Sequence, residues 1–72
     1  MLAVGIDVGS ISAKAALLKD GELAGCRVIL TGYNARNAGR AVYEGLLQEL
    51  RIDPSAVRAV LLFVNPGIAV AV

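Results

Sequence analysis

The sequence predicts an α/β unit with the element order β-β-β-α-β and the sheet order 3-2-1-4. Three observations predict it. A "DG" pair at 20–21 separates two strand-like runs, polar residues recur every fourth position after "TGYN", and "AVLLFV" at 59–64 is apolar without interruption. The pair marks a tight hairpin, because a type I′ turn needs positive φ at both central residues. The four-residue spacing marks an amphipathic helix. A helix between the third and fourth strands lets the fourth lie parallel to the first.

The first strand is expected over residues 2–8, "LAVGIDV", followed by a turn at "GS" 9–10. The run "SAKAALLK" at 12–19 reads as the second strand, and "ELAGCRVIL" at 22–30 returns as the third. Gly25 inside that third strand suggests a bulge or a weak point. The helix is expected from Ala35 to Leu50, with Arg36, Arg40, Glu44 and Gln48 on its polar side. Ala38, Val42, Leu46 and Leu50 line the apolar side, flanked by Tyr43 and Leu47, and Asn34 suits the N-cap. Gly39 and Gly45 each cost a helix about 1 kcal/mol against alanine, so close packing on the sheet is the expected compensation. Asp53 and Pro54 restart the chain as a capped turn before the fourth strand. The unbroken apolar character of "AVLLFV" is that of a strand covered on both faces. The final "NPGIAVAV" reads as a loop and a stub of strand.

Composition narrows the function classes. The 72 residues make one domain or part of one, and 57% hydrophobic against 18% charged residues excludes disorder. A domain this small buries only about 60% of its unfolded surface, so this much apolar surface implies self-association or membership of something larger. The net charge of +1, with Lys and Arg dispersed, gives no nucleic-acid patch and no polybasic membrane anchor. One cysteine and no histidine exclude a Cys/His metal site within one chain and imply a reducing compartment. Cys26 is expected to be a buried structural thiol. No apolar run reaches the roughly 20 residues of a spanning helix, and the N-terminus lacks a basic n-region, so a soluble, cytoplasmic chain is expected.

Chemistry concentrates in "GIDVGSISAK", residues 5–14. Asp7 follows an apolar run, where an unpaired buried carboxylate costs several kcal/mol (roughly 1–3 by mutational measures). It therefore has partners or a task. Gly9 permits close approach of the backbone to a ligand and tolerates positive φ. Ser10 and Ser12 add hydroxyls beside the turn amides, Lys14 adds a cation, and a nearby carboxylate holds Mg²⁺ through water. Read from these residue types alone, the stretch is either a Mg·nucleotide phosphate site or a plain hairpin in which Asp7 caps the turn and Lys14 is solvated.

The stretch "GIDVGSISAKAALLKDG" resembles the first phosphate motif of the actin, sugar-kinase and heat-shock-chaperone ATPase superfamily, Asp-x-Gly-Ser/Thr on a β-hairpin. More narrowly it resembles the BadF/BcrA-type ATPases, activators of 2-hydroxyacyl-CoA dehydratases and benzoyl-CoA reductases. "TGYNARNAGRAVYEGLL" extends that similarity, and the resemblance covers residues 3 to 64. It implies a ribonuclease H-like half-domain over 1–72 and an ATPase that drives low-potential electron transfer to a dehydratase or reductase. Carried onto these positions, it implies that Asp7 orients Mg²⁺ or its water in an ATP/ADP site. Gly9, Ser10 and Ser12 would then contact phosphates, and Lys14 would neutralise them. Ile11 and Ala13 depart from the family's threonines, removing two hydroxyls. The family's second phosphate motif, its adenosine motif and the cysteines of a [4Fe–4S] cluster shared by a homodimer have no counterpart in these 72 residues. The chain alone is therefore expected to be inactive. The alternatives are a fragment of another superfamily kinase or ATPase, and a non-catalytic β-β-β-α-β oligomerisation module.

Overall fold

The computed structural model describes residues 1–31 and 35–64 and, within the helix, the side chains from Asn37 onward. Strands β1 (Leu2–Val8), β2 (Ser12–Lys19) and β3 (Glu22–Leu30) lead into helix α1 (Ala35–Leu50). A 3₁₀ turn at Pro54–Ala56 then introduces β4 (Val57–Val64). The sheet order is β3-β2-β1-β4. The first three strands pair antiparallel and β4 runs parallel to β1, the arrangement expected from the sequence. The expected Asn34 cap and the loop-and-strand reading of 65–72 lie outside the described residues.

Local chemistry sets the joints. Asp20 and Gly21 take φ of 52° and 84°, the paired left-handed geometry that "DG" favours. At the far end of α1, Arg51 adopts φ 56°. Its N–H donates to the Gln48 carbonyl (3.1 Å) and that of Ile52 to the Leu47 carbonyl (2.9 Å). This is the Schellman arrangement, which satisfies carbonyls the helix end would orphan, and Ile52 packs back on the core as that motif favours. Asp53 caps the 3₁₀ turn by accepting from the Ser55 amide at 2.9 Å, with Pro54 in the first turn.

Alternation along β1 and β2 buries one face. Val4, Ile6 and Val8 of β1 and Ala13, Ala15 and Leu17 of β2 pack beneath Ala38, Val42, Leu46 and Leu47 of α1. A fully buried leucine or valine contributes about 1.5–3 kcal/mol, so this layer supplies most of the folding drive. The helix glycines have the expected structural reason. A Cβ at Gly45 would sit 2.7 Å from Nε of Arg27, and one at Gly39 would sit 3.3 Å from Cγ2 of Val8. Small residues let α1 lie close on the sheet, and Arg27 crosses over Gly45 to donate to Glu49 at 3.0 Å.

Two expectations change. The register of β2 against β3 shifts between Leu17 and Leu18, leaving Ala24 as the extra residue of a bulge beside Gly25. Beyond the bulge Cys26 pairs with Ala16 and is exposed, so it is not a buried structural thiol. Strand β4 is not covered on both faces either. The helix packs over β1, β2 and β3, and Val60, Leu61, Leu62 and Phe63 are all exposed.

Candidate functional site

The residues singled out in the sequence converge at the β1–β2 connection. Asp7 and Lys14 are directly opposed across the two strands, on the face away from α1. Gly9, Ser10, Ile11 and Ser12 link them, and these six residues line a concavity of 220 Å³. The structure thus brings Asp7, Gly9, Ser10, Ser12 and Lys14 together. A second hollow of 360 Å³, almost wholly apolar, adjoins it on the same face, and Asp7 and Lys14 belong to the walls of both.

The buried-carboxylate problem posed by Asp7 resolves through side-chain alternation. Val8 and Ile6 point into the core, while Asp7 points to the open face and is exposed. Among the described residues its carboxylate takes part in no hydrogen bond and no ion pair. It therefore does not cap the turn, and Gly9 and Ser10 do not donate to it. Gly21 is the one described glycine with positive φ, so Gly9 does not use the left-handed freedom that a glycine has.

The loop is closed by the Gly9 amide donating to the Ser12 carbonyl at 2.8 Å. Thr31, just past β3, holds it from behind. Its amide donates to the Ile11 carbonyl at 2.9 Å and its hydroxyl to the Gly9 carbonyl at 2.8 Å. Thr31 is 7% exposed, the one buried polar residue described. Sequence reading passed over it. The available signal was a threonine directly after the third strand, level with the loop once β3 is laid against β2.

No family model and no curated protein matches the sequence. Solved structures do match. Component A of the (R)-2-hydroxyglutaryl-CoA dehydratase of Acidaminococcus fermentans aligns with a TM-score of 0.80 at 23% identity, over 90% of this chain and 25% of that one. The fold is that of an actin-like ATPase half-domain. The activator of the 2-hydroxyisocaproyl-CoA dehydratase from Clostridium difficile, solved with bound ADPNP, gives 0.78 at 23% identity, covering 89% of this chain and 24% of that protein. YeaZ from Pseudomonas aeruginosa gives 0.70 at 21% identity over 93% and 31%. The chain thus spans about a quarter to a third of the length of the solved proteins it matches. No helix among the described residues is long and apolar enough to cross a membrane.

The groups that the resemblance in sequence implies divide on the residues present. A Mg·phosphate fits: an unpartnered carboxylate, an opposed lysine and an open loop backbone share one concavity. An iron–sulfur cluster does not. The sequence holds one cysteine, set on a strand, and no group of three or more His, Cys, Asp or Glu side chains gathers among the described residues.

Proposed function

We propose that this chain is the first phosphate-binding subdomain, residues 1–72, of an ATP-hydrolysing activator of the kind that serves 2-hydroxyacyl-CoA dehydratases or benzoyl-CoA reductases. One observation carries the reading: Asp7, Gly9, Ser10, Ser12 and Lys14 share one concavity on an actin-like half-domain. The likeness in fold to two dehydratase activators, one with bound ADPNP, supports the nucleotide and the activator class. "TGYNARNAG" favours that class over a sugar or acetate kinase.

In this reading the backbone at Gly9 admits phosphate oxygens, and Ser10 and Ser12 donate to them. Lys14 balances their charge, and Asp7 holds a water of the Mg²⁺ shell. The bound metal would neutralise charge on the phosphates. Phosphoryl transfer requires positioning and electrostatic stabilisation from several sides, and one hairpin supplies one side. The 72-residue chain is therefore expected to bind Mg·ATP in the millimolar range, about 4 kcal/mol, and to hydrolyse it no faster than buffer. Partnership with a dehydratase, and homodimerisation, belong to the longer protein.

The test is a titration of ¹⁵N-labelled chain with Mg·ATP. Saturable shifts confined to residues 9–14 and lost in Lys14→Ala support the reading. An unmoved loop at high millimolar nucleotide overturns it. Steady turnover abolished by Asp7→Asn would show that the chain completes a site by itself.

A further inference from the structure

We infer that Thr31 is a positioning residue for the phosphate loop, holding it in its binding shape before any ligand arrives; this rests on the reading of the loop as a phosphate site. The loop between Gly9 and Ser12 has one internal backbone bond, Gly9 to Ser12. Its shape is otherwise imposed from outside. Thr31 takes up two of its carbonyls, Gly9 through the hydroxyl and Ile11 through the amide. A trans peptide sets each N–H antiparallel to the preceding C=O. Fixing the Gly9 carbonyl on Thr31 therefore turns the Ser10 amide away from it. The Ser10 amide has no partner among the described residues. A donor left open in this way on an anion-facing loop is what phosphate oxygens use.

The hydroxyl is the informative part, because any residue but proline at 31 supplies the amide. Thr31 is buried and its hydroxyl bond is part-buried, so losing the hydroxyl leaves the Gly9 carbonyl without that donor. A loop free to reorient binds with an affinity reduced by the fraction of time it spends in the competent shape. Ordering it before binding avoids that loss.

Thr31→Val keeps the shape and removes the hydroxyl; Thr31→Ser keeps the hydroxyl. Two measurements on the full 72-residue chain separate the inference from the reading beneath it. The first is ¹⁵N relaxation of the Ser10 and Ile11 amides without ligand, with Asp20 and Gly21 as an internal reference turn. The second is the Mg·ATP affinity read from the same loop amides. Thr31→Val is expected to mobilise the 10–11 amides, leave 20–21 unchanged and weaken Mg·ATP about tenfold, with Thr31→Ser restoring both. Thr31→Val with wild-type loop order and affinity overturns the inference. If Thr31→Val does not fold, a mobile loop in the folded Thr31→Ser chain overturns it equally. A wild-type loop that never responds to Mg·ATP overturns the phosphate reading, and with it the use proposed for the brace.

Discussion

The two faces of the sheet share one backbone and differ in almost everything else. On the face beneath α1, Val4, Ile6, Val8, Ala13, Ala15 and Leu17 are buried. On the other, alternate residues of the same strands give Ala3, Gly5, Asp7, Lys14 and Ala16, flanked by the exposed Val28, Leu30, Leu61 and Phe63. The first face holds the fold and the second holds the candidate site. A charged pair is affordable on β1 and β2 only because the period-2 alternation turns it away from the helix. The fold's stability and its site can therefore be altered independently, one face at a time.

The largest expected effect comes from breaking the covered face. Leu17 is among the largest fully buried side chains. Leu17→Ala is expected to cost about 2–5 kcal/mol from lost burial and the cavity left behind. That is a large share of the roughly 5–15 kcal/mol that holds a domain together. Urea unfolding followed by circular dichroism measures it. A cost under about 1 kcal/mol would mean that α1 does not seal this face.

The second effect separates β4 from the strands under the helix. Leu62 pairs with Ile6 and so lies on the helix side, yet it is 58% exposed; Phe63 pairs with Asp7 on the open face and is 61% exposed. An apolar edge strand templates pairing with other chains. At micromolar concentration the chain is expected to sediment as a species heavier than 7.4 kDa. Phe63→Lys and Leu62→Lys should each shift it toward the monomer, with folding stability changed by no more than about 0.5 kcal/mol, as at other surface sites. A compact wild-type monomer at high concentration would favour a self-sufficient module over a subdomain with surface to be covered. Unfolding by Leu62→Lys would show that α1 reaches β4 after all.

Where the faces are concerned, the sequence was legible up to Ala24. The bounds of β1, β2, β3 and α1 follow from alternation, the "DG" turn and the four-residue polar spacing, and all four stand where those signals put them. The site residues were legible for a related reason. Asp7 and Lys14 flank a short loop, and closing it tightly, with Gly9 against Ser12, opposes them. The bulge was only half legible. Gly25 signalled it, but not its consequence: continuing the hairpin register unbroken from Lys19↔Glu22 sets Cys26 opposite Ala15, on the buried face. One extra residue reverses every side chain beyond it. Cys26 moves to the open face, Arg27 reaches the helix, and Thr31 comes level with Ile11. Strand β4 failed differently. An unbroken apolar run states what a strand needs, not whether these residues provide it.

The covered face has a lesser anchor at the end of α1. Arg51 is held at φ 56°, where a side chain costs energy and glycine does not. Arg51→Gly is expected to stabilise the chain by about 0.5–1 kcal/mol, the relieved strain exceeding glycine's added freedom when unfolded. Thermal or urea unfolding checks it. A loss of stability would show that the arginine side chain contributes more than its backbone strain costs.

The smallest effect lies at the hairpin tip, where the two faces meet solvent together. The terminal ammonium of Met1 donates to the Asp20 carboxylate and holds its pKa below the usual 3.8, mainly through that hydrogen bond and then through charge. Asp53 is also lowered, by the hydrogen bond from the Ser55 amide. A carboxylate with a depressed folded pKa binds fewer protons folded than unfolded, so stability rises with pH through that window. Both contributions are fully present above pH 3.8 and are lost as pH falls from there through the folded values. Because both groups are wholly exposed, solvent screens them and the effect is slight. Asp20→Asn should remove part of the acid-side slope and leave neutral-pH spectra unchanged, and Nα-acetylation of Met1 should act in the same direction by removing the donor's charge. Acid titration of the three chains, followed by circular dichroism, reads the difference. An acetylated chain whose acid transition matches wild type while that of Asp20→Asn moves would assign the depressed pKa to the turn itself and not to the terminal ammonium.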